Sequence, residues 1–318
     1  MHRLIVILAI LLVSGIPALA QESGEGTING QVINGTEGGG SVAGVEVTLL
    51  TYVDDMMAET RTTTTDDEGQ FLFDDIVIEN EYLVSARYMK VDYYYQAVFE
   101  PEETAAFVEV WVCDTTASDE AIRIGLAHTI ISLEEESLLV AEFFWLVNDG
   151  DMTYVGTDDA LVFTLPEGAV GFEAPQELLP DFQFLDNNRV AYLVPLPPGD
   201  KQLMYSYQLA KPDSNELSVP LEINYPTDSF ELMVGGEGIE VAVSQLAPAE
   251  PVFTATNERF IHFQGENLSR GTVLNVHLSN LSEGGGVLFT ILWVIIAVVI
   301  IGMAVYLLRR RRRKKTSE

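Results

Sequence analysis

Glu81-Tyr82-Leu83-Val84-Ser85-Ala86-Arg87-Tyr88-Met89-Lys90-Val91-Asp92-Tyr93-Tyr94-Tyr95-Gln96-Ala97-Val98-Phe99 sets the fold class. Tyr82, Val84, Ala86 and Tyr88 fall on one side of an extended chain. Val91, Tyr93, Tyr95, Ala97 and Phe99 repeat the pattern. A period of two with aromatic and β-branched residues is the mark of a half-buried strand. The same alternation runs outward in both directions. Val45, Val47 and Leu49 precede it, and Val108, Val110 and Val112 follow. Farther on come Leu203, Tyr205, Tyr207 and Leu209, then Val219, Leu221, Ile223 and Tyr225, and last Leu274, Val276 and Leu278. Turn chemistry punctuates the runs at Asp66-Asp67-Glu68-Gly69, Asn148-Asp149-Gly150-Asp151 and Pro197-Pro198-Gly199. The expected fold is mainly β: two tandem β-sandwich domains followed by one C-terminal transmembrane helix.

Leu138 to Val147 departs from alternation. Ser132-Leu133-Glu134-Glu135 resembles a helix capping box in front of it, and the run is apolar enough for a strand or a short helix. Phe143, Phe144, Trp145 and Val147 favour the strand.

The ends of the chain read as topology. Residues 1–20 have the form of a signal peptide: Arg3, an apolar run from Leu4 to Val13, Pro17, and the small-x-small site Ala18-Leu19-Ala20. Residues 287–308 are 22 positions without a charge. That length at about 1.5 Å per residue spans a hydrocarbon core of roughly 30 Å. Arg309, Arg310, Arg311, Arg312, Arg313, Lys314 and Lys315 follow directly and are expected to hold the tail, residues 309–318, in the cytoplasm. The expected localisation is the cell membrane as a single-pass type I protein, with the N-terminal ectodomain outside. Within the ectodomain, small polar residues Thr115 to Asp119 separate a first domain, 21–114, from a second, 119–283.

The whole chain carries 17 basic and 48 acidic residues, a net of −31. Setting aside Arg3, the seven basic tail residues and Glu318 leaves an ectodomain with 9 basic and 47 acidic residues, a net of −38. Such a surface repels nucleic acid and anionic lipid, and favours cations, basic partners or plain solubility. The lone Cys113 excludes an internal disulfide, so stability rests on a packed core.

The first domain resembles a known family. Gly30-Gln31-Val32 opens it, then Val42-Ala43-Gly44-Val45-Glu46-Val47-Thr48-Leu49, Thr65-Asp66-Asp67-Glu68-Gly69-Gln70-Phe71 and Tyr82-Leu83-Val84. This order is similar to the carboxypeptidase regulatory-like domain, a transthyretin-type β-sandwich, over about Thr27 to Val112. The resemblance implies a structural or binding module without catalytic residues of its own.

Signatures for chemistry are sparse. No H-E-x-x-H, Cys-rich spacing or G-x-S-x-G occurs, and no catalytic residue is nominated. His128, His262 and His277 are scattered. His128 is expected on one face with Ile124, Leu126 and Ile130 as a hydrogen-bonded core histidine, and His277 on a polar face. Calcium is the one cofactor the acidic turns bring into view, with Asp66, Asp67, Asp149 and Asp151 as candidate ligands, against the plain reading of turn residues. Tyr94, opposite in direction to Tyr93 and Tyr95, is the candidate for stacking on a glycan. Asn34-Gly35-Thr36, Asn267-Leu268-Ser269 and Asn280-Leu281-Ser282 have the form of glycosylation sequons. The function expected is a membrane-anchored extracytoplasmic binding or scaffolding protein with a protein partner in an envelope complex. The alternative is a membrane-tethered hydrolase or a carbohydrate-binding adhesive module acting on envelope glycans or peptides.

Overall fold

The computed structural model describes residues 25–156, 161–254 and 258–281. The signal-peptide segment, Asp158 and Asp159, the apolar run from Val287 to Leu308, the basic tail and Ser282 of the last sequon lie outside the described residues. No helix among the described residues is long and apolar enough to cross a membrane. The described chain is mainly β, and its one helical segment is a 3-10 turn at Leu179–Asp181.

The chain divides into two compact units. The first holds residues up to Ile33 and Val42–Trp111; the second holds Asn34–Ser41 and the chain from Val112 onward. In the first, β1 (Glu25–Asn34), β4 (Gln70–Val77) and β7 (Ala105–Val112) form a sheet in the order β4-β1-β7. The second sheet, in the order β3-β2-β5-β6, contains β2 (Glu46–Val53), β3 (Met56–Thr64), β5 (Glu81–Tyr88) and β6 (Val91–Ala97). The alternating residues quoted from the sequence are the buried ones: Val47, Leu49, Val84 and Ala86 are all fully buried, as are Val110 and Val112. Two-residue turns join β2 to β3 at Asp54-Asp55 and β5 to β6 at Met89-Lys90, and all four residues have positive φ. Paired positive φ values give the turn twist that matches a right-handed hairpin. Gly30 answers a different demand. A Cβ there would lie 2.1 Å from the Val108 carbonyl oxygen, so only glycine lets β7 approach β1.

The second unit contains β8 (Thr115–Thr116), β9 (Ile122–Leu133), β10 (Ser137–Asn148), β11 (Thr153–Tyr154), β12 (Leu161–Thr164), β13 (Val170–Glu173), β14 (Phe182–Leu185), β15 (Arg189–Tyr192), β16 (Gly199–Ala210), β17 (Glu216–Glu222), β18 (Thr227–Gly235), β19 (Glu240–Ala242), β20 (Ala247–Phe253), β21 (Arg259–Leu268) and β22 (Val273–Ser279). Its backbone is a seven-stranded sheet in the order β13-β16-β10-β9-β18-β21-β20. The run Leu138–Val147 is thus a strand, pairing residue for residue with β16 from Ser137↔Ala210 to Asn148↔Gly199. Three-stranded sheets β12-β15-β14 and β17-β22-β19 contribute the other side of the core. Phe144 and Phe163 stack at 5.1 Å between ring centres in this core, joined by Tyr192, Tyr207, Leu221 and Val276. Burying each such side chain contributes about 1.5–3 kcal/mol before chain entropy is set against it.

Both faces of the large sheet are apolar near its middle. On the face away from that core, Leu126, Phe143, Trp145 and Val147 form one cluster and Ile130, Ala141, Met233 and Phe260 another. This is why Leu138–Val147 lacks alternation. A bulge also separates Ile124 from Leu126: the register between β10 and β9 slips between Trp145↔Leu126 and Leu146↔Ile124. Ile124 therefore joins the main core, while His128, Leu126 and Ile130 lie on the other face. The expectation that all four share a face fails on that inserted residue.

Candidate functional site

A polar cluster lies on that outer face. Parallel pairing sets Glu231 of β18 opposite His128 of β9. Antiparallel pairing sets Glu231 opposite Gln264 and Met233 opposite His262 of β21. Directly paired residues project to the same face, and so do positions two apart. His128, Glu231, Gln264 and His262 are brought together in this way across three strands. The Nε2 atoms of His262 and His128 lie 3.4 Å and 3.9 Å from the same oxygen, Glu231 Oε2. His262 Nδ1 sits 3.1 Å from the Glu250 carbonyl oxygen, and so carries the proton that it donates there.

The two imidazoles differ in character. His128 is 2% exposed, and neither of its ring nitrogens has a hydrogen-bond partner. Burial lowers its pKa, outweighing the Glu231 carboxylate that raises it. For His262 the Glu231 carboxylate dominates and raises the pKa, against a lesser effect of burial. Of the two imidazoles His262 is thus the one that takes up a proton more readily, and it is the less buried. It lines an open groove of about 780 Å³ with Gln264 on one side and Pro248, Glu250, Pro251 and Val252 on the other. Along the groove β20 bulges between Ala249 and Val252, with Pro251 inside the bulge and Pro248 just before it. An imidazolium backed by a carboxylate can donate a hydrogen bond to a bound polar group. Among the described residues no group of three His, Cys, Asp or Glu side chains is placed to hold a metal ion.

A second polar cluster lies inside the main core. Tyr205 and Tyr207 of β16 donate to Glu142 Oε2 and Oε1 at 3.0 Å and 2.9 Å. Burial pushes the Glu142 carboxyl up to about 7, against the two hydroxyls that lower it.

The residues nominated from sequence fall elsewhere. Asp66 Oδ1 accepts the backbone amides of Glu68 and Gln70 at 3.0 Å and 2.7 Å, so its carboxylate closes the turn before β4. Asp67 stands exposed beside it. Asp149 pairs with Arg123, which also holds Asp228. Asp151 accepts the Glu37 amide at 2.9 Å through its side chain and the Thr36 hydroxyl at 2.8 Å through its carbonyl. Tyr94 is 56% exposed, whereas Tyr93 and Tyr88 are buried. Asn34 of the first sequon donates to Asp114 Oδ1 at 2.9 Å and to the Gly40 carbonyl at 3.0 Å. Cys113 is half-buried, and burial pushes its thiol up. His277 is on the polar face, its side chain 47% exposed. Sequence reasoning did not nominate Glu231, Glu142 or the His128–His262 meeting.

No protein-family model matches the chain, and no curated protein matches it. Among solved structures, a putative protease from Parabacteroides distasonis overlaps it with a TM-score of 0.33 and 11% identity, over 51% of this chain. The chain spans only 41% of that protein's length. The full-length major pilin SpaD from Corynebacterium diphtheriae overlaps with a TM-score of 0.23 and 10% identity, over 79% of this chain and 81% of the pilin. The pilus protein RrgB from Streptococcus pneumoniae does so with a TM-score of 0.21 and 8% identity, over 80% of this chain and 61% of its own. None of these overlaps bears on what this chain does.

Proposed function

We propose that the chain is a non-enzymatic binding or scaffolding protein held at the cell membrane, with two β-sandwich units displayed outside. The first unit is a carboxypeptidase regulatory-like module. Residues 287–308 anchor the chain and the basic tail fixes its orientation. The observation that carries this reading is where the acidic side chains go. Asp66, Asp114, Asp149 and Asp151 are each bonded to the chain's own amides or to Arg123, so the acidic turns are stiffened loops on rigid strands. Rigid loops and strand edges are the parts of a sandwich that dock partners. The partner is a protein in an envelope complex. Protease added to intact cells should remove the ectodomain and leave a tag on the tail protected. Protection of the ectodomain would refute the topology.

Exposed Tyr94 supports a second reading, a glycan-binding surface. It stands opposite Ser85 of β5 on the outer side of its sheet. Loss of sugar binding on Tyr94→Ala is its test.

A further inference from the structure

The edges of the sheets are not treated alike. In the second unit β20 is closed to further pairing by Pro248, Pro251 and a bulge, which are common guards against edge-to-edge association. In the first unit β7 is also an edge, in the order β4-β1-β7, and it carries neither proline nor bulge-forming glycine. Its even positions face β1: the Thr104 carbonyl accepts from Thr27 and the Val112 carbonyl from Gly35 with no change of register between them. Alternation then turns the amides and carbonyls of Phe107 and Glu109 away from the sheet. The Trp111 carbonyl obeys the same rule, because it accepts the Tyr95 hydroxyl at 3.1 Å rather than a β1 amide. The side chains of these residues share the outer face. Phe107 is 63% exposed and Trp111 46%, with exposed Glu109 between them.

The occupant follows from charge. The first unit, from Glu25 to Ile33 and Val42 to Trp111, holds 17 Asp and Glu residues against Arg61, Arg87 and Lys90, a net of −14. A second copy adding itself to β7 would bring like charge against like and set Glu109 near its own counterpart. An extended basic segment meets no such penalty. Its backbone would pair with Phe107 and Glu109, and its Lys or Arg side chains would lie over the two rings and beside the Glu109 carboxylate.

We propose that the free edge and outer face of β7 bind an extended Lys- or Arg-rich segment of a partner protein by strand addition. This rests on the reading of the chain as a binding protein, and it names the partner's chemistry. The test is fluorescence anisotropy on the full chain in uncharged detergent, with a labelled alternating Lys–Thr peptide of about twelve residues. Three comparisons are made: the Glu–Thr counterpart, the Lys–Thr peptide methylated on alternate backbone nitrogens, and the Phe107→Ala/Trp111→Ala variant. The expected result is saturable binding of the Lys–Thr peptide, absent for Glu–Thr. Methylation and the double variant should each weaken it by about tenfold or more. Both substitutions are on the surface, and an unchanged melting curve verifies that the variant folds. Absence of saturable binding overturns the proposal. So does equal binding of the methylated peptide or by the double variant, which would reduce the effect to diffuse charge. Self-association of the wild-type chain that the double variant abolishes would assign the edge to a second copy and also overturn it. Failure here leaves the broader reading to be judged separately, by identifying what co-purifies with the chain after crosslinking in native membranes.

Discussion

Replacing Glu142 with glutamine should flatten the pH dependence of stability. Glu142 projects from β10 into the main core, where Tyr205 and Tyr207 donate to its two oxygens. Burial raises its pKa from 4.5 to about 7. A carboxyl whose folded pKa is raised favours the folded state most below its unfolded pKa, where it is neutral in both states. That stability is lost as pH rises from about 4.5 through about 7, because the unfolded chain ionises first. At about 1.4 kcal/mol per pH unit the full loss is about 3 kcal/mol, a large share of the net stability of a typical domain. Most of it, about 2–3 kcal/mol, falls between pH 5 and pH 8. Glutamine keeps the shape and still accepts one tyrosine hydroxyl, while its amide cannot ionise. Urea unfolding of the full chain in detergent, read by fluorescence, would be run at both pH values for the two proteins. The wild type should lose that much more than Glu142→Gln between pH 5 and pH 8. Parallel losses in both proteins would show that the carboxyl is not desolvated as the geometry demands.

Other perturbations follow from the same contacts. Gly30→Ala forces a methyl against the Val108 carbonyl and should cost about 3 kcal/mol, seen as a lower urea midpoint; a neutral effect would mean that β7 does not pair this closely with β1. Arg123→Ala removes the cation shared by Asp149 and Asp228, whose side chains are 56% and 43% exposed. Its cost should be about 1 kcal/mol and shrink in salt, whereas a salt-independent loss would point to packing of the stem instead. His128→Leu replaces a buried imidazole with no hydrogen bond and should stabilise by about 1 kcal/mol. Because the His128 pKa is lowered, the contribution of this ring to stability is lost as pH falls below about 6.5, and the variant should be spared that part of the pH dependence. A destabilised His128→Leu protein would show that the ring is partnered. Chelation of calcium should leave the melting temperature within about 1 °C, since Asp66 and Asp151 already accept backbone amides; a clear rise on adding calcium would contradict this.

Where alternation was strict, the core was legible before any coordinates. Leu203, Tyr205 and Tyr207, like Leu274, Val276 and Leu278, are buried on the face that their spacing assigned. Legibility ended where the large sheet is apolar on both faces. There Phe143 and Phe144 face opposite clusters, so the run from Leu138 to Val147 had no period to read. The bulge at Gly125 was invisible for the same reason, and it moved Ile124 to the other face. The candidate site was less legible still. His128 meets Glu231 only because β9 and β18 pair in parallel, a long-range choice that local pattern does not encode. Glu231 could have been noticed as the one charge between Phe230 and Leu232, and Glu142 as the one charge within Leu138–Val147. Neither position reveals its partners. The acidic turns were legible as turns, and their hydrogen bonds show why acidic residues suit them: Asp66 and Asp151 accept amides that a turn would leave unpaired.

The central claim, a membrane-held binding or scaffolding protein, is tested most directly by crosslinking in native membranes, mild solubilisation and identification of what co-purifies. The account expects a reproducible, stoichiometric protein partner. A clean monomer would contradict it and turn attention to glycan-binding and hydrolase assays on the same preparation.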